Sequence, residues 1–324
     1  MTDTYSTSSF NRLNRGFSAT FQTGKLTLGL VVPLESYAPA VPTLERHLER
    51  VELVETLGFS AVWLRDVPFH VPSFGDAGQL FDPFVYLGYL AASTRRIALG
   101  VASVVLPLRH PAHVAKAAAS ADVLSGGRLI LGIASGDRPD EYPALRGDFE
   151  ARGAAFRAAH HYIEKMAEEF PQFENDWGRL TGAIDLLPKP QSARLPLLIT
   201  GGSQQSPEWV ATHGDGWMTY PRPVEGQARV VADYRSRTSR AGQPDKPVMQ
   251  SLYVDLVEDP SAAPVPIHLG YRLGVRHLRD HLKALEEIGV NHVALNLRFN
   301  QADIETTLRR LADELLTEFH GDQS

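Results

Sequence analysis

The segment with the most chemical promise is Ile199 to Trp209, where an apolar run ends in Thr200, Gly201 and Gly202, followed by Ser203, Gln204, Gln205, Ser206 and Pro207. Glycines let a backbone come close to a ligand, and proline suits the first position of a helix, whose free N–H groups favour an anion such as a phosphate. The same pattern also describes a plain strand-to-helix turn capped by Ser206. Position favours the phosphate reading, because phosphate sites in α/β barrels often use the late strand-to-helix loops.

Two histidine pairs hold less. His110 and His113 lie on either side of Pro111 without companion carboxylates, so they read as part of a helix N-terminus rather than a metal set. His277 and His281 have i, i+4 spacing on a late amphipathic segment and read as an exposed pair. No metal site is expected. The chain also lacks a P-loop, a GxGxxG after a strand, an HExxH and a GxSxG elbow; in Gly132 to Gly136 the serine, Ser135, comes one place late. Cysteine is absent, which excludes disulfides, thiolate metal sites and a cysteine nucleophile, so redox chemistry must be carried by a bound group.

Charge narrows the partners. A formal net charge of −6 supplies no footprint for a polyanion, and no nucleic-acid partner is expected. No apolar run approaches the roughly 20 residues that span a bilayer. Residues 1–24, rich in Ser, Thr and Asn, lack the apolar stretch of a signal peptide. The expectation is a cytoplasmic protein without membrane contact, carrying a polar N-terminal arm over 1–24.

These candidates need a scaffold. Leu26 to Val32 reads as a buried strand, and Thr43 as the cap of a helix with Leu44, Leu48, Val51, Val54 and Leu57 at helical spacing, ending at Gly58. Further strands are expected at 61–64, 97–106, 129–133, 197–200, 216–220, 248–257 and 293–297. Helices are expected near 83–93, 111–124, 151–170, 207–213, 224–241, 275–288 and 302–319. Eight strand–helix units with near-continuous apolar strands predict a closed (β/α)8 TIM barrel with inserted loops, one domain over 25–324, with an open doubly wound sheet as the competitor. The connectors 137–151 and 173–195 are unusually long.

A barrel carries its site at the C-terminal ends of its strands. Those ends offer Pro33 to Ser36, Arg65 and Asp66, Ser103, Ser135 to Arg138, Gly201 to Gln204, Tyr220, Asp255 and Asn296 to Arg298. Arg65, Arg109, Arg138 and Arg298 are candidate anion contacts, or else ordinary salt-bridged arginines.

Val104 to Pro111, Ala117 to Asp122 and Leu124 to Gly132, taken together, resemble the bacterial luciferase-like monooxygenases. Leu198 to Ser203 and His213 to Trp217 look like a second recurrent segment of that family, and Ser135 to Pro143 resembles a sub-branch described as luciferase-type oxidoreductases. The likeness spans most of 26–220.

The resemblance implies a (β/α)8 barrel, usually paired as a homodimer, that takes reduced FMN from a separate flavin reductase and uses O2 to oxygenate a small organic substrate. Other branches imply a deazaflavin and hydride transfer by a dehydrogenase or reductase. A flavin-binding protein without turnover is a third possibility. Position by position, Asp66 and Ser103 would lie against the isoalloxazine ring, Gly201, Gly202, Ser203 and Gln204 would hold the ribityl phosphate, and Ser135 with Tyr142 would border that region. Many members carry a histidine directly after the acidic residue ending the second strand. Here Val67 follows Asp66, with His70 three places further on, so proton transfer falls to His70, with Arg138 the other catalytic candidate. Loops 66–82 and 137–151 are expected as lids, with Phe69, Phe74, Phe81 and Tyr142 lining the substrate pocket or packing onto the barrel.

Overall fold

The computed structural model describes residues 9–37, 41–75 and 78–321. In chain order it contains α1 (Arg15–Thr20), β1 (Thr27–Val31), α2 (His47–Leu57), β2 (Ala61–Leu64), α3 (Pro83–Ser93), β3 (Ala98–Val105), α4 (Pro111–Ser125) and β4 (Leu129–Ala134). Next come α5 (Glu141–Ala144), α6 (Arg152–Lys165), β5 (Gln172–Asn175), β6 (Gly178–Thr181), β7 (Leu197–Thr200), α7 (Pro207–His213), β8 (Gly216–Thr219) and α8 (Val224–Arg240). The chain ends with β9 (Val248–Leu256), β10 (Val265–Ile267), β11 (Gly270–Leu273), α9 (Val275–Glu287), β12 (His292–Asn296) and α10 (Ile304–Leu315). Short 3₁₀ turns lie at Pro72–Phe74 and Leu106–Leu108.

Eight strands run parallel in the order β12, β1, β2, β3, β4, β7, β8, β9, and β9 pairs back onto β12. The sheet is therefore a closed (β/α)8 barrel, with helices outside. Closure leaves no open edge among these eight strands. Alternate residues divide between two cores. Leu28, Leu30, Val62, Leu64, Leu99 and Leu131 face the helices, whereas Ala61, Trp63, Ala98, Ile130, Leu198, Met218, Met249 and Ala294 fill the lumen. A buried Leu or Val of this kind stabilises by about 1.5–3 kcal/mol relative to exposure.

The lumen is packed around Trp63, which needs Gly100 beside it: a Cβ there would lie 2.1 Å from the Trp63 ring. Trp63 Nε1 donates to His292 Nε2 at 2.8 Å, and His292 Nδ1 lies 2.7 Å from Thr27 Oγ1, whose hydroxyl donates to the carbonyl of Thr20. Indole can only donate, so Nε2 is the acceptor and Nδ1 carries the proton.

Residues 1–24 were expected as a polar arm, and the described part is not one. Asn14 caps α1 by accepting from Phe17 N at 2.8 Å and anchors it by donating to Asp122 and to the Leu129 carbonyl. Phe10, Phe17 and Phe21 pack into the lumen, closing the end from which the strands start. Residues 1–8 lie outside the described region.

Three other expectations change. Thr43 does not cap α2: its N–H and hydroxyl go to the Glu35 carboxylate, and the helix starts at His47 after Arg46 in a left-handed conformation. The long connector after α6 contains the antiparallel hairpin β5–β6. Between β9 and α9 a second hairpin, β10–β11, joins the sheet, with β11 parallel to β9.

Candidate functional site

At the C-terminal ends of the strands lies a cavity of about 880 Å³, near the top of the roughly 300–1,000 Å³ range of small-molecule sites. Its floor is apolar: Val31, Ala102, Met218, Met249 and Ala294. Polar groups come from the strand ends and from two loops that reach over them.

The turn after β7 is folded as an amide cradle. Gly201, Ser203 and Gln204 have φ of 55°, 43° and 59°, left-handed values that two non-glycine residues here adopt. Gly201 N donates to the Met218 carbonyl and Gln205 N to the Gly202 carbonyl, both at 2.8 Å. Among the described residues no carbonyl accepts from the N–H groups of Gly202, Ser203 or Gln204, and all three residues line the cavity. Consecutive amides in such a conformation form a concave anion site. The Ser203 hydroxyl is spent on the Thr200 carbonyl at 2.8 Å. Gln205 ties the turn to α6, donating to the Gly153 carbonyl and accepting from Arg157.

Ser103 sits on β3 where the register with β4 slips between Val101 and Val104, so its side chain turns to the cavity. Its hydroxyl bonds that of Thr200, and Thr200 Oγ1 lies 3.3 Å from Met218 Sδ. Ser135, at the end of β4, accepts through its carbonyl from the Tyr142 hydroxyl. Tyr142 is buried beneath Gly136, whose φ of 80° and tight contacts exclude a side chain. Burial pushes the Tyr142 phenol up to about 12, so it remains a donor at neutral pH.

Asp66 also lines the cavity, but its carboxylate is engaged. It accepts from Arg109 Nε at 3.0 Å and Nη2 at 2.7 Å and from Val105 N at 3.1 Å, and its side chain is only 1% exposed. Arg109 also reaches Asp82 at 2.7 Å; although burial opposes it, this partner holds the Asp82 carboxyl below the usual range.

The cavity thus brings together Asp66, Ser103, Ser135, Arg138, Gly201, Gly202, Ser203 and Gln204. Tyr142 supports it from behind. His70 is not brought in: it is exposed on the loop after β2 and is not a cavity wall. Of the four aromatic residues expected in the loops, Phe74 lines the cavity, with the Arg138 guanidinium 4.3 Å from its ring centroid. Residues 76–77 of that loop lie outside the described region.

Residues not singled out from sequence complete the wall: Tyr253, His268 and Phe299. The His268 ring meets those of Tyr253 and Phe299 edge-on at 5.5 and 6.4 Å. His268 and Leu269 form the two-residue tip of β10–β11, and Leu269 has φ 48°. The sequence offers little signal for this hairpin, because Arg272 interrupts its second strand and the segment carries no sustained apolar alternation.

A family model described as luciferase-like monooxygenase matches residues 24–320. A Mycobacterium tuberculosis protein of uncharacterised function is 29% identical over 267 residues, covering 75% of this chain and 82% of its own. The oxygenase component of a flavin-dependent trigonelline monooxygenase from Acinetobacter baylyi is 30% identical over 170 residues, 52% of this chain and 42% of that protein. The solved structure of an F420-dependent secondary alcohol dehydrogenase, with an F420–acetone adduct, superposes with TM-score 0.74 at 18% identity, covering 90% of this chain and 98% of that one.

Proposed function

Because the chain belongs to the luciferase-like monooxygenase family, we propose that it is a flavin-dependent monooxygenase, using reduced FMN and O2 to oxygenate a small organic substrate. The observation that carries the reading is the cradle of Gly202, Ser203 and Gln204 amides opening onto the cavity. It suits a phosphate, and the space beyond it suits a flat ring system with a small molecule beside it.

In this reading the amides of Gly202 to Gln204 bind the ribityl phosphate, and Ser103 and Ser135 border the ring. Reduced FMN, delivered by a separate reductase, supplies two electrons to O2, one atom of which goes to the substrate and the other to water. Met218, Met249 and Ala294 give the ring an apolar bed, and Phe74 and Gly75 add to the wall, so the protein's work is to orient and to exclude water. Asp66, saturated by Arg109 and Val105, positions the loop after β2 and is not the proton-transfer group.

F420, a deazaflavin, also carries a phosphate on its ribityl chain, as a diester, so the cradle serves the second reading, hydride transfer by a dehydrogenase, which the F420-dependent structural relative supports. We further propose that it works in the cytoplasm as a homodimer. Among the described residues no helix is long and apolar enough to cross a membrane, and α3 exposes Val85 and Tyr89, a face suited to a second copy.

The test is anaerobic titration with reduced FMN and, in parallel, reduced deazaflavin, followed by O2 and a flavin reductase. Preferential FMN binding with coupled O2 uptake supports the monooxygenase; preference for the deazaflavin supports the dehydrogenase; binding of neither overturns both.

A further inference from the structure

His70 stands outside the cavity, and the Asp66 carboxylate is spent on Arg109 and Val105. The histidine on the cavity wall, the only one among the described residues, is His268. It comes from the β10–β11 hairpin, and the second strand of that hairpin pins it in place. β11 runs parallel to β9 with Gly270 opposite Tyr253, and Tyr253 N donates to the Leu269 carbonyl at 3.2 Å. Only glycine fits there, since a Cβ on residue 270 would lie 1.9 Å from the Tyr253 carbonyl oxygen. This close approach fixes the two-residue tip, His268 and Leu269, against β9.

The imidazole is held through its ring face and edge, and its nitrogens are left for other work. It meets the Tyr253 ring at 5.5 Å and the Phe299 ring at 6.4 Å, and among the described residues no hydrogen bond takes either ring nitrogen. The titratable and charged groups around it are Tyr253 from β9, Arg298 beside Phe299 after β12 and, on its own hairpin, Arg272, which pairs with Asp255 at 2.8 Å. His268 is exposed as well as lining the cavity, so it can recover a proton from solvent and present it to a bound molecule. Imidazole is the side chain that gains and loses a proton near neutral pH. Glu141, the other candidate acid on the wall, is buried and faces Arg138 at 3.9 Å.

We propose that His268 is a catalytic residue, the acid that supplies the proton consumed in the oxygen reaction. The inference rests on the flavin reading and deepens it. In that reaction the reduced flavin anion, O2, one proton and the substrate give oxidised flavin, the oxygenated substrate and water. Two electrons leave the flavin and the O–O bond breaks. One oxygen atom forms its bond to the substrate, and the other departs as water with one hydrogen from the flavin and one from the acid. An imidazolium at His268 gives up that proton and is recharged from solvent, so a wall that keeps water from the ring need not open to deliver it.

The experiment mixes the whole protein, in excess over anaerobically bound reduced FMN, with O2 and no substrate. The return of oxidised-flavin absorbance is followed from about pH 5.5 to about pH 8.5, the interval in which imidazoles titrate. That reaction takes the same single proton, with hydrogen peroxide as its second product. The rate should fall as pH rises, and His268→Gln should slow it about tenfold or more at the acid end and flatten the profile, with FMN affinity within twofold of wild type. A flat wild-type profile, an unchanged profile in His268→Gln, or a profile flattened instead by His70→Gln or Glu141→Gln overturns the inference and leaves the flavin reading standing. Should His268→Gln not fold, the wild type decides by a second route: bound FMN should shield His268 from carbethoxylation by diethyl pyrocarbonate, read by mass spectrometry, while His70 stays reactive. Equal modification of His268 with and without FMN overturns the inference. Failure of FMN to bind at all overturns the flavin reading and this inference together.

Discussion

Trp63 Nε1 and His292 Nε2, in strands 229 residues apart in the sequence, are joined by a 2.8 Å hydrogen bond in the lumen of the barrel. The bond fixes His292 as neutral with its proton on Nδ1, and full burial depresses its pKa to about 3. Because the unfolded imidazole titrates near 6.5, the unfolded chain binds the extra proton first as pH falls. Stability is therefore complete above about pH 6.5 and is lost from there down toward pH 3, by about 1.4 kcal/mol per pH unit from this group. Urea midpoints at pH 7 and pH 4.5 should differ accordingly, and His292→Gln should reduce that difference. An unchanged difference would remove His292 from the acid response.

Gly100→Ala should destabilise strongly, by about 3 kcal/mol or more, because the added methyl collides with the Trp63 ring at 2.1 Å in a lumen with no slack. Thermal melting reads this directly. A variant that melts like the wild type would show that Trp63 has another place to go.

Removing Arg109 strands a buried carboxylate. Arg109→Leu should cost about 3–5 kcal/mol, whereas Asp66→Asn with Arg109→Leu together should cost less than the two singly summed. A double-mutant cycle in urea, showing simple additivity, would mean that the bidentate pair contributes no coupling.

Tyr142→Phe removes the hydroxyl that holds the Ser135 carbonyl behind the cavity wall. The expected stability loss is about 1 kcal/mol, with FMN affinity falling several-fold as the Ser135–Gly136 turn loosens. Gly202→Leu should reduce FMN affinity far more, by crowding the cradle; equal affinity in that variant would move the phosphate elsewhere. Fluorescence titration measures both.

The strands were legible because each is an apolar run with its own punctuation: Leu197 to Thr200 and Pro207 to His213 are strand and helix to the residue. The two hairpins were not, because Gln172 to Thr181 and Val265 to Leu273 are mostly exposed or half-buried and carry little apolar pattern. Asn14 to Thr20 reads as polar, yet its cap and its one buried phenylalanine suffice once the barrel supplies a socket for them. The strand-end rule located most of the cavity wall. It could not show that Arg109 engages the Asp66 carboxylate or that His70 is exposed outside the cavity wall, since both depend on how loops fold back over the strand ends.

The phenylalanines of the N-terminal segment carry a consequence for traffic. With the start of the barrel filled by Phe10, Phe17 and Phe21, the described residues leave the cavity to be reached from the end where the strands finish, and a substitution that shrinks one of these rings should loosen the floor without widening the mouth.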